Sequence, residues 1–149
     1  MARINIPHRG WVLVCDGAKA LILQNEGTLE LVNLKLVDVL EHDGAAAHEL
    51  GSDRPGRVHE SLGQSRSAVE MTDLHERAEA EFLKRVADEL TGILQERQAR
   101  SLVLVAPPKA LGLLRQAFPA SVRTIAKQEL AKDLTGLPIS QIERHLAGG

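Results

Sequence analysis

The sequence predicts an α/β fold with its elements in the order βββαβαβα: a mixed five-stranded sheet with helices layered on both faces. Three observations predict it. Two β-branched apolar runs near the start are separated by Asp16-Gly17, a turn dipeptide. An apolar stripe at helical spacing runs from Ala78 to Leu94. Leu102-Val103-Leu104-Val105 then shows no polar alternation, as a strand covered on both faces requires.

Trp11-Val12-Leu13-Val14-Cys15 and Ala18-Lys19-Ala20-Leu21-Ile22-Leu23 make the expected first hairpin, with Asp16-Gly17 supplying the positive φ of a tight turn. A third apolar stretch, Leu29 to Leu40, follows the turn-forming Asn25-Glu26-Gly27. Val32, Leu34 and Leu36 alternate within it, while Val37 and Val39 fall out of phase, so a bulge or strand end is expected near Leu36. From Glu41 to Thr72 periodicity vanishes. This stretch holds Gly44, Gly51, Pro55, Gly56, Gly63, an alanine triplet and most of the serines, and is expected to be a long functional or mobile loop, 41–72.

Asp73 then reads as a helix N-cap, with Glu76 completing a capping box. Ala78, Phe82, Val86, Leu90, Ile93 and Leu94 carry the stripe to about Gln98, while Glu76, Glu79, Lys84, Asp88 and Glu96 stay off it. Gly92 inside the helix costs roughly 1 kcal/mol against Ala, which so long a helix tolerates. Pro107-Pro108 opens a short helix facing Leu111, Leu114 and Phe118 inward. Val122 to Ala126 reads as a weaker edge strand, and Pro138 opens a last helix with Ile139, Ile142 and Leu146 as its stripe. The length, 149 residues, suits one domain, 1–149. With right-handed crossovers this order gives the ribonuclease H-like, three-layer layout.

Composition narrows the function. Eighteen basic against 20 acidic residues leave a formal charge of −2, so no global basic excess marks a nucleic-acid binder. Cys15 is the single cysteine, which excludes an intrachain disulfide and a multi-cysteine metal site and fits a reducing compartment. Met1 to Pro7 lacks the apolar core of a signal peptide and no apolar run approaches a membrane span, so a cytoplasmic protein without membrane contact is expected. Trp11, Phe82 and Phe118 are the whole aromatic complement, too little for base stacking along a single strand.

The sharpest local feature is Gly51-Ser52-Asp53-Arg54-Pro55-Gly56-Arg57. Asp53 can close an Asx turn and Pro55-Gly56 suits a type II turn, from which Arg54 and Arg57 project as a fork for phosphate or carboxylate. An internal Asp53–arginine salt bridge that merely fixes the loop is the alternative. The C-terminal third is basic, and Lys109, Arg115, Arg123, Lys127 and Lys132 form either a phosphate-binding face or an ordinary solvated surface. Ser65 and Ser67 sit in no G-x-S-x-G frame, and no Walker A loop or G-x-G-x-x-G motif occurs, so no nucleotide cofactor is expected. Two-metal nuclease chemistry needs converging carboxylates, yet Asp16 falls in a turn and Ala106-Pro107-Pro108 offers no acid. The six histidines form no i, i+4 pair, so no metal site is expected. Cys15, in an apolar strand, reads as an inert thiol.

The string Gly51 to Arg57, then Ser61, Arg66 and Thr72-Asp73, then Ala106-Pro107-Pro108-Lys109-x-Leu111-Gly112-x-Leu114-Arg115, then Lys132-Asp133-Leu134-Thr135 and Pro138, resembles the bacterial host attachment protein family. The resemblance covers nearly the whole chain. A more distant one joins Gly63-Gln64-Ser65-Arg66-Ser67, running into Leu74 to Val86, to the middle domain of archaeal and eukaryotic class 1 peptide-chain release factors. In that domain a Gly-Gly-Gln loop precedes a charged helix; here Leu62 stands where the first glycine belongs. This second resemblance implies that Gln64 would position an attacking water and Arg66 would touch a phosphate. The expected function is a non-catalytic binding module that engages ribosome, tRNA or structured RNA. Asp53, Arg54, Gly56, Arg57, Ser61, Gln64 and Arg66 would form its site on the loop, with Lys109 and Arg115 helping. The alternatives are a peptidyl-tRNA ester hydrolase using Gln64, and a protein-interaction domain whose edge strand at 122–126 pairs with a partner or a second copy.

Overall fold

Strict alternation along Trp11–Cys15 (β1) sends Trp11, Leu13 and Cys15 to one face of the sheet and Val12 and Val14 to the other. The computed structural model describes residues 3–42 and 58–148, with 58–72 described by backbone alone. After β1 come β2 (Lys19–Asn25), β3 (Leu34–Glu41), α1 (Val58–Glu96) and β4 (Leu102–Val105). They are followed by α2 (Pro108–Ala117), α3 (Ala120–Ile125), β5 (Gln128–Leu130) and α4 (Ile139–Leu146). The chain is thus an α/β protein with one five-stranded mixed sheet, ordered β3-β2-β1-β4-β5. β1–β2 and β2–β3 are antiparallel; β1–β4 and β4–β5 are parallel.

The layers follow from the alternation. On one face Phe82, Val86 and Leu90 of α1, Leu111 and Leu114 of α2 and Val122 of α3 pack against Leu13, Ile22 and Leu104. On the other, Ile142 and Leu146 of α4, with Ile6 and Leu134, cover Val12, Val14, Val103 and Val105. β4 is buried along its whole length because both layers meet it. A side chain such as Leu90, fully excluded from water, contributes roughly 1.5–3 kcal/mol to the fold.

The phase slip in the third strand is a bulge. Ile22 stands opposite Asp38 and Leu23 opposite Leu36, which leaves Val37 as the extra residue. The β1–β2 turn is tight but needs no left-handed residue: Gly148 is the glycine with positive φ among the described residues. Asp16 Oδ1 accepts the backbone N–H groups of Ala18 and Lys19, both at 2.8 Å, and Asp16 N–H donates to the Lys19 carbonyl. That side-chain turn replaces the positive φ expected of Asp-Gly.

Two further expectations are corrected. The long helix starts at Val58 and not at Asp73, so it runs 39 residues and takes in the second half of the expected loop. Once the stripe from Phe82 onward is packed, extending the helix backwards needs no new nucleus, and weak formers such as Gly63 can join it. Residues 122–126, expected as an edge strand, instead belong mostly to α3, and the outer strand is β5. Pro119 precedes this helix, the Arg123 N–H returns to the Pro119 carbonyl, and Val122 is drawn into the core, which outweighs its β-branched preference.

At the far end α1 closes with a Schellman arrangement. Ala99 N–H donates to the Leu94 carbonyl and Gln98 N–H to that of Gln95, with Gln98 at φ 54°. The β2–β3 connection is organised by the buried Asn25. Its Nδ2 donates to the carbonyls of Ile6, Pro7 and Thr28, and its Oδ1 accepts from the N–H groups of Gly27 and Asn33.

Candidate functional site

In open α/β sheets ligands settle beyond the carboxyl ends of parallel strands, where successive connections diverge. Here the chain leaves β1 toward β2 on one side and leaves β4 into α2 on the other. Between them lies a crevice of about 740 Å³, walled by the β1–β2 turn, His42 after β3, the stretch of α1 around Leu74–Glu79, and the start of α2 with Lys109.

Its walls are built by close approaches. A Cβ on Gly17 would stand 2.7 Å from Glu79 Cγ and Cδ, so the glycine lets the Glu79 side chain lie over the turn. His42 Nε2 lies 3.2 Å from the Ala78 carbonyl. In the neutral ring Nε2–H donates there and leaves Nδ1 as an acceptor. The ring also packs on Phe82 at 5.7 Å between centroids. His75 and Glu79, one helical turn apart, complete this wall.

Beneath the crevice a polar network ties the sheet to the loop before α4. Thr135, 9% exposed, brings its hydroxyl within 3.0 Å of Asp16 Oδ2 and 2.7 Å of Asp133 Oδ1. Asp133 Oδ1 also takes the Thr135 N–H. Both carboxylates are therefore engaged in holding backbone and hydroxyl. Next to them Cys15 is buried, and burial, with the charges of Asp16 and Asp133, pushes its thiol up to about 12. Among the described residues no group of three or more His, Cys, Asp or Glu side chains could hold a metal ion.

The residues read from the sequence divide. Lys109 reaches the crevice, and its Nζ lies 3.4 Å from Glu76 Oε1 in an exposed pair. Arg115 does not. Its Nε donates to Glu129 Oε2 at 2.8 Å and its Nη2 to Glu129 Oε1, a double hydrogen bond that fastens α2 to β5. The bond to Arg115 holds the Glu129 carboxyl below its usual range, more than desolvation raises it. Ser61, Gln64 and Arg66 lie on the α1 backbone, so Gly63-Gln64 is carried inside a helix rather than in a loop before one. Asp53, Arg54, Gly56 and Arg57 lie outside the described residues.

Sequence reasoning missed His42, His75 and Glu79, and met Asp133 and Thr135 only within the string that carries the family resemblance. The Asp133-x-Thr135 spacing suits a side-chain turn; His42 carries no local signal, because only the fold brings it beside α1, where His75 and Glu79 stand one turn apart.

A family model described as "Protein required for attachment to host cells" matches residues 11–146. The match runs from the first residue of β1 to the last of α4 and includes every described wall of the crevice. No curated protein matches the chain.

Proposed function

The chain belongs to this family of proteins required for attachment to host cells, and on that premise we propose that it is a cytoplasmic, non-catalytic module that binds ribosome or structured RNA. One observation carries the reading. The segment with Asp53, Arg54, Gly56 and Arg57 follows His42 in the chain, and His42 stands on the crevice wall together with Lys109. Guanidinium forks suit the bidentate capture of phosphate oxygens, which fix a protein on nucleic acid without reading its sequence. The carboxylates beneath the crevice favour binding over catalysis, because Asp16 and Asp133 are engaged by N–H and hydroxyl groups.

Co-sedimentation of the full chain with ribosomes at low and high salt tests this. Association should weaken with salt in proportion to the phosphates neutralised, and a variant combining Arg54→Ala, Arg57→Ala and Arg66→Ala should lose it. No association at low salt would overturn the reading.

A protein-interaction domain is the second reading, and β3 favours it. β3 is an outer strand on which Leu36, Val37 and Val39 are 48%, 38% and 39% exposed. Such an edge can pair with the same strand of a second copy. Sedimentation velocity should then show self-association that Val39→Lys abolishes; a wild type that stays monomeric at every concentration ends this reading.

A further inference from the structure

At the opposite end of the sheet, where β1 and β4 begin, lies a separate cleft of about 620 Å³ lined by His8, Arg9, Trp11, Arg97 and Arg100. We propose that this cleft binds a small phosphorylated ligand. It shares no lining residue with the crevice, so the inference stands apart from the RNA reading.

The arginines come from two distant parts of the chain. Arg9 precedes β1, Arg97 and Arg100 join α1 to β4, and the parallel register of Trp11 with Leu102 brings them to one place. Among the described residues the ion pairs are Lys109–Glu76 and Arg115–Glu129, and none of these three takes part in either. Glu26 is the one carboxylate in the lining, so three guanidinium groups face a single negative charge. That excess, on planar fork-shaped donors, suits a phosphate group.

Among the described residues no side-chain hydrogen bond or ion pair engages the three guanidinium groups, and the contact Arg97 does make is with the Trp11 ring, 6.0 Å from its centroid. Three of the last four α1 carbonyls are taken by backbone: Ile93 by the Arg97 N–H, Leu94 by Ala99 and Gln95 by Gln98. Arg97 and Arg100 are therefore not needed as caps. Arg9 adopts φ 67°, a left-handed conformation in which glycine would be unstrained. Its turn is held by backbone atoms, since Arg9 N–H donates to the Asn25 carbonyl at 2.7 Å and Gly10 N–H to that of Pro7 at 2.8 Å. The turn thus projects a guanidinium that it does not use. His8 adds a polar ring fixed at Nδ1, which lies 2.7 Å from the Gly27 carbonyl. A concave space of this volume matches small-molecule sites of about 300–1,000 Å³.

The protein carries its own reporter. Trp11 is the single tryptophan, and the Arg97 guanidinium carbon lies 6.0 Å from its ring centroid. The full chain would be titrated with pyrophosphate, ATP, adenosine and a short RNA duplex, following Trp11 emission and calorimetric heat together. Saturable binding of ATP or pyrophosphate, and none of adenosine, is expected; the stronger of the two shows whether the phosphate comes as an ester or as an inorganic ion. Arg97→Gln and Arg100→Gln should each weaken binding roughly tenfold, the worth of one charge-assisted hydrogen bond. Arg9→Gly should weaken it too while keeping or raising the melting temperature, which a structural arginine would not do. The proposal is overturned by the absence of heat with both phosphates at about 1 mM, by unchanged affinity in the arginine variants, or by binding of the RNA duplex alone.

Discussion

Thr135 Oγ1 stands 3.0 Å from Asp16 Oδ2, a contact that joins the β1–β2 turn to the loop before α4 across 119 residues. The same hydroxyl meets Asp133 Oδ1, and its single proton serves one carboxylate at a time. Thr135→Val should cost about 1–3 kcal/mol in urea unfolding, because it strands partly buried carboxylate oxygens. Thr135→Ser should restore most of that. A Val variant as stable as the wild type beside a destabilised Ser variant would assign the effect to the methyl group instead.

Asn25 satisfies five backbone groups from one fully buried side chain. Asn25→Ala should destabilise by roughly 2–4 kcal/mol. Asn25→Asp should be no better at neutral pH, since it turns an oxygen toward the carbonyls of Ile6, Pro7 and Thr28. Thermal unfolding of both variants checks this; a mild Asp variant would show that the Nδ2 donations matter little.

Two glycines should respond differently to the same added methyl. A Cβ on Gly27 would lie 2.1 Å from the Leu31 carbonyl oxygen, which is backbone and cannot step aside. Gly27→Ala should cost about 3 kcal/mol or more. Gly17→Ala meets the Glu79 side chain first, which can swing away, and should cost less than about 1 kcal/mol. Combining it with Glu79→Ala should remove even that cost in a double-mutant cycle.

Cys15 makes stability depend on alkaline pH. The unfolded thiol ionises near 9.0, whereas the folded one is pushed up to about 12, foremost by burial. Its contribution is therefore complete below pH 9.0 and is lost progressively as the pH climbs toward 12. Cys15→Ala should flatten the stability profile across that window. Below it, a thiol reagent should label the native wild type only as fast as the protein opens.

The sequence revealed elements wherever a side-chain pattern answers to one local cause. The slip at Val37 disclosed its bulge because alternation admits no other extra residue. The unbroken run Leu102–Val105 disclosed a strand covered on both faces. Val122 to Ala126 misled because β-branched residues favour strands only when a neighbour is there to pair with, and Pro119 together with the core turned them into helix. The candidate site was far less legible. Lys109 was found from its neighbours in the chain, but its partner Glu76 sits on another helix. Arg9 and Arg97 meet only through strand register, which no local pattern encodes.

The parallel pairing of β1 with β4 has a consequence for the order in which the protein assembles. β1, β2 and β3 are linked by short connections and can zip as a meander within microseconds of collapse. β4 cannot join β1 until the chain between them, including all of α1, has been drawn into place, so that step bears most of the loop-closure entropy. The rate-limiting barrier should therefore lie at the docking of α1 and β4 on a preformed meander. Truncations at Leu90 or Leu104 should slow refolding, whereas the same change at Leu34, within the preformed meander, should leave the unfolding rate almost unchanged.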